Sequence, residues 1–164
     1  MARHRFRFAH PIIGVMIASG VMALDQATKT RVVANAATLD SGVRIFEGFN
    51  LVFHQNTGIT FGLFNKIPWW SLSLMAVVIC ACLGVLMFRT KSVAETFAYG
   101  AIIGGALGNV IDRARNGAVT DFLDFYVGSL HWPTFNLADT FIVVGVGVLL
   151  VLPFAEPRAQ GLTK

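Results

Sequence analysis

Charged side chains are scarce in this sequence. They make up only 13% of its 164 residues, whereas hydrophobic residues make up 55% and the mean hydropathy is positive. Soluble domains carry about 25% charged residues, and a water-soluble core of this size cannot hide so much apolar surface. The scarcity of charge therefore excludes an ordinary soluble domain and predicts a single integral membrane domain over residues 1–164.

Cysteine and histidine are rare as well, with two and four residues respectively. Cys80 and Cys82 lie two positions apart in an apolar run, so on a helix they point in different directions and do not pair. His54 and His131 lack the spacing of metal ligands. We therefore expect no metal and no cofactor. Because the basic residues do not cluster with aromatic ones, we expect no nucleic-acid partner either.

Long apolar runs predict a mainly α-helical membrane protein with four spans. A span needs about 20 apolar residues. The candidate spans lie at approximately residues 10–30, 67–88, 94–111 and 137–154.

Basic residues give the predicted orientation. Arg3, Arg5 and Arg7 precede the first run, and Arg89 and Lys91 lie between the second and the third. Since such residues stay on the cytoplasmic side, we expect both termini in the cytoplasm and the first and third loops outside. A cleaved signal peptide is the alternative for the first run, but charged residues stand where its cleavage site belongs.

The first outer loop, approximately residues 40–63, predicts a small β-sheet. Residues 42–46 and 49–53 are rich in β-branched and aromatic side chains, and Glu47-Gly48 separates them. Trp69, Trp70 and Trp132 fall at the same predicted interface, where tryptophan is enriched. We therefore expect this extracytoplasmic sheet to rest on the membrane surface.

Two acids are the candidates for chemistry. Asp139 opens the fourth run. A carboxylate at the edge of a membrane span costs free energy, so it indicates a functional residue. Asp121 lies in the third loop. Two close carboxyl groups do not both ionise easily, so one activates a water while the other polarises a carbonyl. Spacing alone does not choose between Asp121 and Asp124. A purely structural alternative for Asp139 is a helix start, with Asn136 as the N-cap.

Other polar residues near the predicted outer ends have structural alternatives too. Asn109 and Asp112 share one helix face behind Gly104, Gly105 and Gly108, a pattern that also serves helix packing. For Asp112-Arg113 the structural alternative is an ion pair between the two residues at the membrane interface. Asp25 and Lys29 are spaced as a helical ion pair, and Asn56-Thr57-Gly58 is typical of a turn.

Taken together, these segments resemble the lipoprotein signal peptidase (signal peptidase II) family, whose members are aspartic proteases that remove signal peptides from lipid-modified bacterial prolipoproteins. The matching segments are, in order, Asp25–Lys29, Asn56–Gly62, Gly104–Asn109, Asp112-Arg113, Gly117–Phe122 and Pro133–Asp139. Each motif is weak alone, and their common order makes the resemblance specific. The sequence departs from the family pattern at Ile59 and Thr60, where the family usually has alanines.

The resemblance implies a catalytic pair formed by Asp121 and Asp139, which favours Asp121 over Asp124. It also implies residues that bind substrate or support the pair, namely Asn56, Gly58, Asn109, Arg113, Asn136, Asp25 and Asp112. The implied substrate is a diacylglyceryl-modified prolipoprotein, cut before the lipidated cysteine without a metal or a covalent intermediate. The implied setting is the bacterial inner membrane, where the chain acts among membrane lipids as a monomer.

Two other classes of protein remain as alternatives. A small transporter also uses intramembrane acids, but it favours acids near the midplane and paired broken helices. A non-enzymatic membrane scaffold would use the glycine face of the third span, yet it gives no reason for two aspartates and several asparagines at one end. Processing of a lipoprotein precursor distinguishes the peptidase from both.

Overall fold

The computed structural model describes residues 9–58 and 68–155. These ranges leave out Arg3, Arg5 and Arg7, as well as Ile59, Thr60 and the end of the first outer loop.

Helices make up most of the part of the chain that the structure describes. The long ones are α1 (Ala9–Ala34), α3 (Trp69–Arg89), α4 (Val93–Asn116) and α5 (Leu137–Ala155), and a single turn, α2 (Ala36–Leu39), follows α1. Within the described ranges, three helices are long and apolar enough to cross a membrane, at His10–Ala34, Trp70–Arg89 and Leu137–Ala155. The mainly helical membrane class is thereby confirmed, whereas the count of four spans stays a prediction.

Helix α4 lies at the centre of the bundle, which explains why it is less apolar than the others. Glycines bring its backbone close to its neighbours. A Cβ atom at Gly100 would lie 2.7 Å from the Gly14 carbonyl oxygen of α1, and one at Gly105 would lie 2.5 Å from the Ala138 carbonyl oxygen of α5. Because other helices cover it, α4 needs fewer apolar side chains toward lipid.

An antiparallel sheet sits at one end of the helices. Within the described residues it has the strand order β1 (Val43–Phe46), β2 (Phe49–Asn56), β3 (Val119–Val127) and β4 (Leu130–His131). The predicted β1–β2 hairpin is present, and Gly48 turns it with a φ of 93°, which favours glycine. Strands β3 and β4 were not predicted from the sequence, which assigned no secondary structure to the third loop.

The pairing of β2 with β3 positions the first acid. In the register of these strands, His54 lies opposite Asp121 and Asn56 lies opposite Val119. A small apolar core of Val32, Leu39 and Phe122 joins the sheet to the ends of the helices. Because Phe122 belongs to β3, this core holds β3 against the ends of the helices.

Candidate active site

Asp121 and Asp139 line the same cavity. Asp121 is the third residue of β3 and is 2% exposed, whereas Asp139 stands half-buried in the first turn of α5. The cavity has a volume of about 490 Å³. Its lining consists of Asn56, Gly58, Asn109, Arg113, Val119, Asp121, Trp132, Pro133, Thr134, Phe135 and Asp139. A cavity of this volume has room for a water and a short extended peptide segment.

Asn136 connects the two acids. Its Oδ1 accepts a hydrogen bond from the Asp139 backbone N–H at 3.0 Å, and the Asp139 Oδ2 accepts one from the Asn136 N–H at 3.3 Å. This reciprocal pair is a capping box at the start of α5. The Asn136 Nδ2 also donates to Asp121 Oδ1 at 2.7 Å. The helix start proposed as a structural alternative is thus present, and it also links Asp139 to Asp121.

Asn109 supports Asp139 from the central helix. Its Nδ2 donates to Asp139 Oδ1 at 2.8 Å, while its Oδ1 accepts from Asn136 Nδ2 at 3.2 Å. Asn109 is 8% exposed, and Asn136 is fully buried. Buried amides of this kind hold the carboxylates in place because each lost hydrogen bond would leave an unsatisfied polar group.

Asn56 supports Asp121 from the end of β2. Its Nδ2 donates to Asp121 Oδ2 at 3.0 Å, and its Oδ1 accepts from the Gly58 N–H at 3.1 Å. The second bond is the turn that the Asn-Thr-Gly sequence favours. The turn therefore orients the Asn56 amide so that its donor faces the acid.

Burial raises the pKa of Asp121 to about 6, because water no longer solvates its charged form. Hydrogen bonds from Asn56 and Asn136 act in the opposite direction, and the nearby negative charge of Asp139 raises the pKa further. Asp121 thus holds a proton more tightly than an ordinary aspartic acid.

Asp124 faces a different group of residues. It is 4% exposed, accepts from Asn50 Nδ2 at 2.9 Å and pairs with His131 Nδ1 at 2.8 Å. Because successive strand residues alternate between faces, positions three apart in β3 point to opposite sides of the sheet. Asp124 therefore does not join Asp121 at the cavity.

Lys29 contacts the cavity residue Asn109, with Nζ 2.8 Å from Asn109 Oδ1, although the sequence indicated it only as the ion-pair partner of Asp25. Its Nζ lies 2.9 Å from Asp25 Oδ2 and 3.0 Å from Asp112 Oδ2. Asp112 therefore pairs with Lys29, and the half-buried Arg113 lines the cavity instead. The signal for Lys29 was its spacing from Asp25, but only the folded chain brings Asp112 to the same ammonium group.

No group of three or more His, Cys, Asp and Glu residues is placed to hold a metal ion within residues 9–58 and 68–155.

The fold and the cavity define a polytopic membrane protein that carries a pair of carboxyl groups at one end of its helices. The profile of the signal peptidase (SPase) II family matches residues 17–155. Lipoprotein signal peptidase of Anaplasma phagocytophilum (strain HZ) is 41% identical over 151 residues, covering 91% of this chain and 96% of the relative. Lipoprotein signal peptidase of Serratia proteamaculans (strain 568) is 42% identical over 142 residues, covering 84% and 83%. The chain therefore belongs to the signal peptidase II family, a family of membrane peptidases, as its motifs indicated.

Solved structures of bacterial membrane enzymes have the same fold. One superimposes with a TM-score of 0.78 at 24% identity and covers 93% of both chains. Another has a TM-score of 0.75 at 26% identity and covers 88% of this chain and 94% of the other.

Proposed function

We propose that this chain removes signal peptides from diacylglyceryl-modified prolipoproteins by cutting before the lipidated cysteine. The observation that carries the proposal is the placement of Asp121 and Asp139 on one cavity, where Asn136 hydrogen-bonds to both. The relatives with 41% and 42% identity are lipoprotein signal peptidases, which supports the same substrate class.

In the proposed reaction, Asp139 acts as the base and Asp121 as the acid. Asp139 removes a proton from a water, whose oxygen attacks the scissile carbonyl carbon, while Asp121 gives its proton to the carbonyl oxygen. The raised pKa of Asp121, about 6, supports the acid role. The resulting diol collapses when the amide nitrogen takes the proton from Asp139 and the C–N bond breaks. Asp121 regains its proton from a diol hydroxyl, so the centre returns to its starting state.

Arg113 and the apolar lining of the cavity would position the substrate. Arg113 is half-buried at the cavity, where its guanidinium donors suit backbone carbonyl oxygens of an extended peptide. Trp132, Pro133 and Phe135 add an apolar lining to the same cavity. Acyl chains of the modified cysteine would lie among the apolar helices while the scissile amide reaches the two acids.

We further propose a topology of four spans in the bacterial inner membrane, with the cavity at the outer face and the chain acting as a monomer. In this arrangement α4 is the third span, covered by its neighbours. Arg89 and Lys91, in the short connection between α3 and α4, support placing that connection in the cytoplasm. Both termini are then cytoplasmic.

The test is cleavage of a diacylglyceryl-modified prolipoprotein by the purified protein in detergent, followed by gel shift. Wild type should cleave, and Asp121→Asn and Asp139→Asn should each lose all detectable cleavage because an amide serves neither as base nor as acid. Asp40→Asn, which changes an exposed carboxyl group, is the matched control and should cleave normally.

Equal cleavage by wild type and Asp139→Asn would remove Asp139 from the chemistry. Failure of the folded wild type to cleave a verified lipidated substrate would refute the proposed substrate and favour the transporter or scaffold.

A further inference from the structure

A single ammonium group sits between the elements that carry the two acids. Lys29 in α1 is 3% exposed, and its Nζ contacts Asp25 Oδ2 at 2.9 Å, Asp112 Oδ2 at 3.0 Å and Asn109 Oδ1 at 2.8 Å. An ammonium group has three N–H donors, and these three acceptors match them. Lys29 is therefore fixed in place by a complete set of partners.

Each carboxylate bound by Lys29 in turn holds the backbone next to one catalytic acid. Asp25 Oδ1 accepts from the Ala138 N–H at 3.1 Å, and Ala138 immediately precedes Asp139. Asp112 Oδ2 accepts from the Thr120 N–H at 3.1 Å, and Thr120 immediately precedes Asp121. The two anchors have the same design, and Lys29 joins them.

The third contact of Lys29 sets the orientation of Asn109. Because the ammonium group accepts no hydrogen bond, the side of the Asn109 amide that faces it must be the oxygen. The Nδ2 is then directed toward Asp139 Oδ1, to which it donates at 2.8 Å. Without a cation at this point, the Asn109 oxygen loses its shorter contact and keeps only the donor of Asn136 Nδ2, at 3.2 Å, to oppose rotation of the amide.

We propose that Lys29 is a positioning residue of the catalytic centre, which fixes the distance between Asp121 and Asp139 and aims the Asn109 donor at Asp139. This inference rests on the proposed function, since it concerns the same two acids. Lys29 acts on them through its contacts with Asp25, Asp112 and Asn109.

An exclusively structural ion pair is the competing explanation. Asp25 is fully buried and Asp112 is 4% exposed, so the cation is also required to compensate two buried carboxylates. The two explanations differ once stability is restored without the ammonium group. A structural pair predicts that activity returns with stability, whereas a positioning role predicts that it does not.

The experiment compares Lys29→Met with the double variant Lys29→Met/Asp25→Asn. The double variant loses one positive and one negative charge, so the buried cluster keeps the net charge that it has in the wild type. The amide that replaces the Asp25 carboxylate retains an oxygen that accepts from the Ala138 N–H. We therefore expect the thermal midpoint of the double variant to return to within a few degrees of wild type.

The readout is the separation of kcat from KM on the lipidated prolipoprotein. Displacement of a reacting group by about 1 Å costs about 100-fold in rate, so the double variant should lose about 100-fold in kcat with KM within about threefold of wild type. Lys91→Met, which removes an exposed lysine in the connection before α4, is the matched control and should keep both constants.

Recovery of kcat to within about threefold of wild type in the stable double variant would overturn the inference, and so would failure of both variants to fold. The proposed function is judged separately in the same assay, because it fails only if the folded wild type does not cleave.

Discussion

Replacement of Asp121 by asparagine should change how the stability of the protein depends on pH. Burial raises the pKa of Asp121 from 3.8 to about 6, so the folded chain binds this proton more tightly than the unfolded chain does. The resulting stabilisation is complete below the unfolded pKa and is lost as pH rises through the folded pKa. Wild type should therefore lose stability from Asp121 as pH rises from acid to neutral.

The magnitude follows from the difference between the two pKa values. One pH unit corresponds to about 1.36 kcal/mol, so the total effect is about 3 kcal/mol, of which about 2 kcal/mol falls between about pH 4 and about pH 7.5. For a chain of this length, 1 kcal/mol shifts the thermal midpoint by about 2–4 °C. The midpoint difference between wild type and Asp121→Asn should therefore change by about 4–8 °C over this range, in favour of the variant at the higher pH.

The assay is thermal unfolding in detergent at both pH values. The amide that replaces the Asp121 carboxyl group would keep only one acceptor for the donors of Asn56 and Asn136, which lowers stability by a similar amount at every pH and leaves the pH-dependent part intact. Asp40→Asn controls for the loss of one exposed carboxyl group. A midpoint difference for Asp121→Asn that is the same at both pH values would refute the reasoning from burial.

The remaining predictions concern the sheet and the helix bundle. Asp124→Asn should retain most cleavage in the gel-shift assay, because this carboxyl group faces Asn50 and His131. An inactive Asp124→Asn beside an active Asp121→Asn would mean that the catalytic pair is misassigned. Gly105→Ala should lower stability by about 1–3 kcal/mol through overpacking, since its Cβ would lie 2.5 Å from a backbone oxygen of α5, whereas Gly20→Ala, with nothing within 4 Å, should raise it by up to about 1 kcal/mol. Thermal unfolding compares the two alanine variants, and equal midpoints would contradict the close approach of α4 and α5.

Local patterns predicted the parts of the site that depend on neighbouring residues. Asn136 and Asp139 are three positions apart, so their capping contacts follow from the helix start alone. The same holds for the ion pair of Asp25 with Lys29 and for the Asn56–Gly58 turn. In each case the partners are close in the chain, and backbone geometry brings them together.

Contacts between distant residues were not accessible in this way. The choice between Asp121 and Asp124 depends on which face of β3 meets the cavity, and spacing carries no information about that. Strand β3 was not predicted because its two acids are typical of a solvated loop, and only its pairing with β2 buries them. The resemblance to a family favoured Asp121 over Asp124. In the structure Asp121 lines the cavity and accepts hydrogen bonds from Asn56 and Asn136.

The amino-acid sequence by itself determined the membrane class, the long apolar helices, the β1–β2 hairpin and the capping of α5, because these depend on composition and on contacts within a few residues. The tertiary structure alone decided that Lys29 serves Asp25, Asp112 and Asn109 together, and that Asp121 and Asp139 share one cavity. Residues that are hydrogen-bonded around this cavity lie up to 113 positions apart in the chain, as Asp25 and Ala138 do. Only the packing of α1, α4 and α5 against the sheet brings such groups within hydrogen-bonding distance.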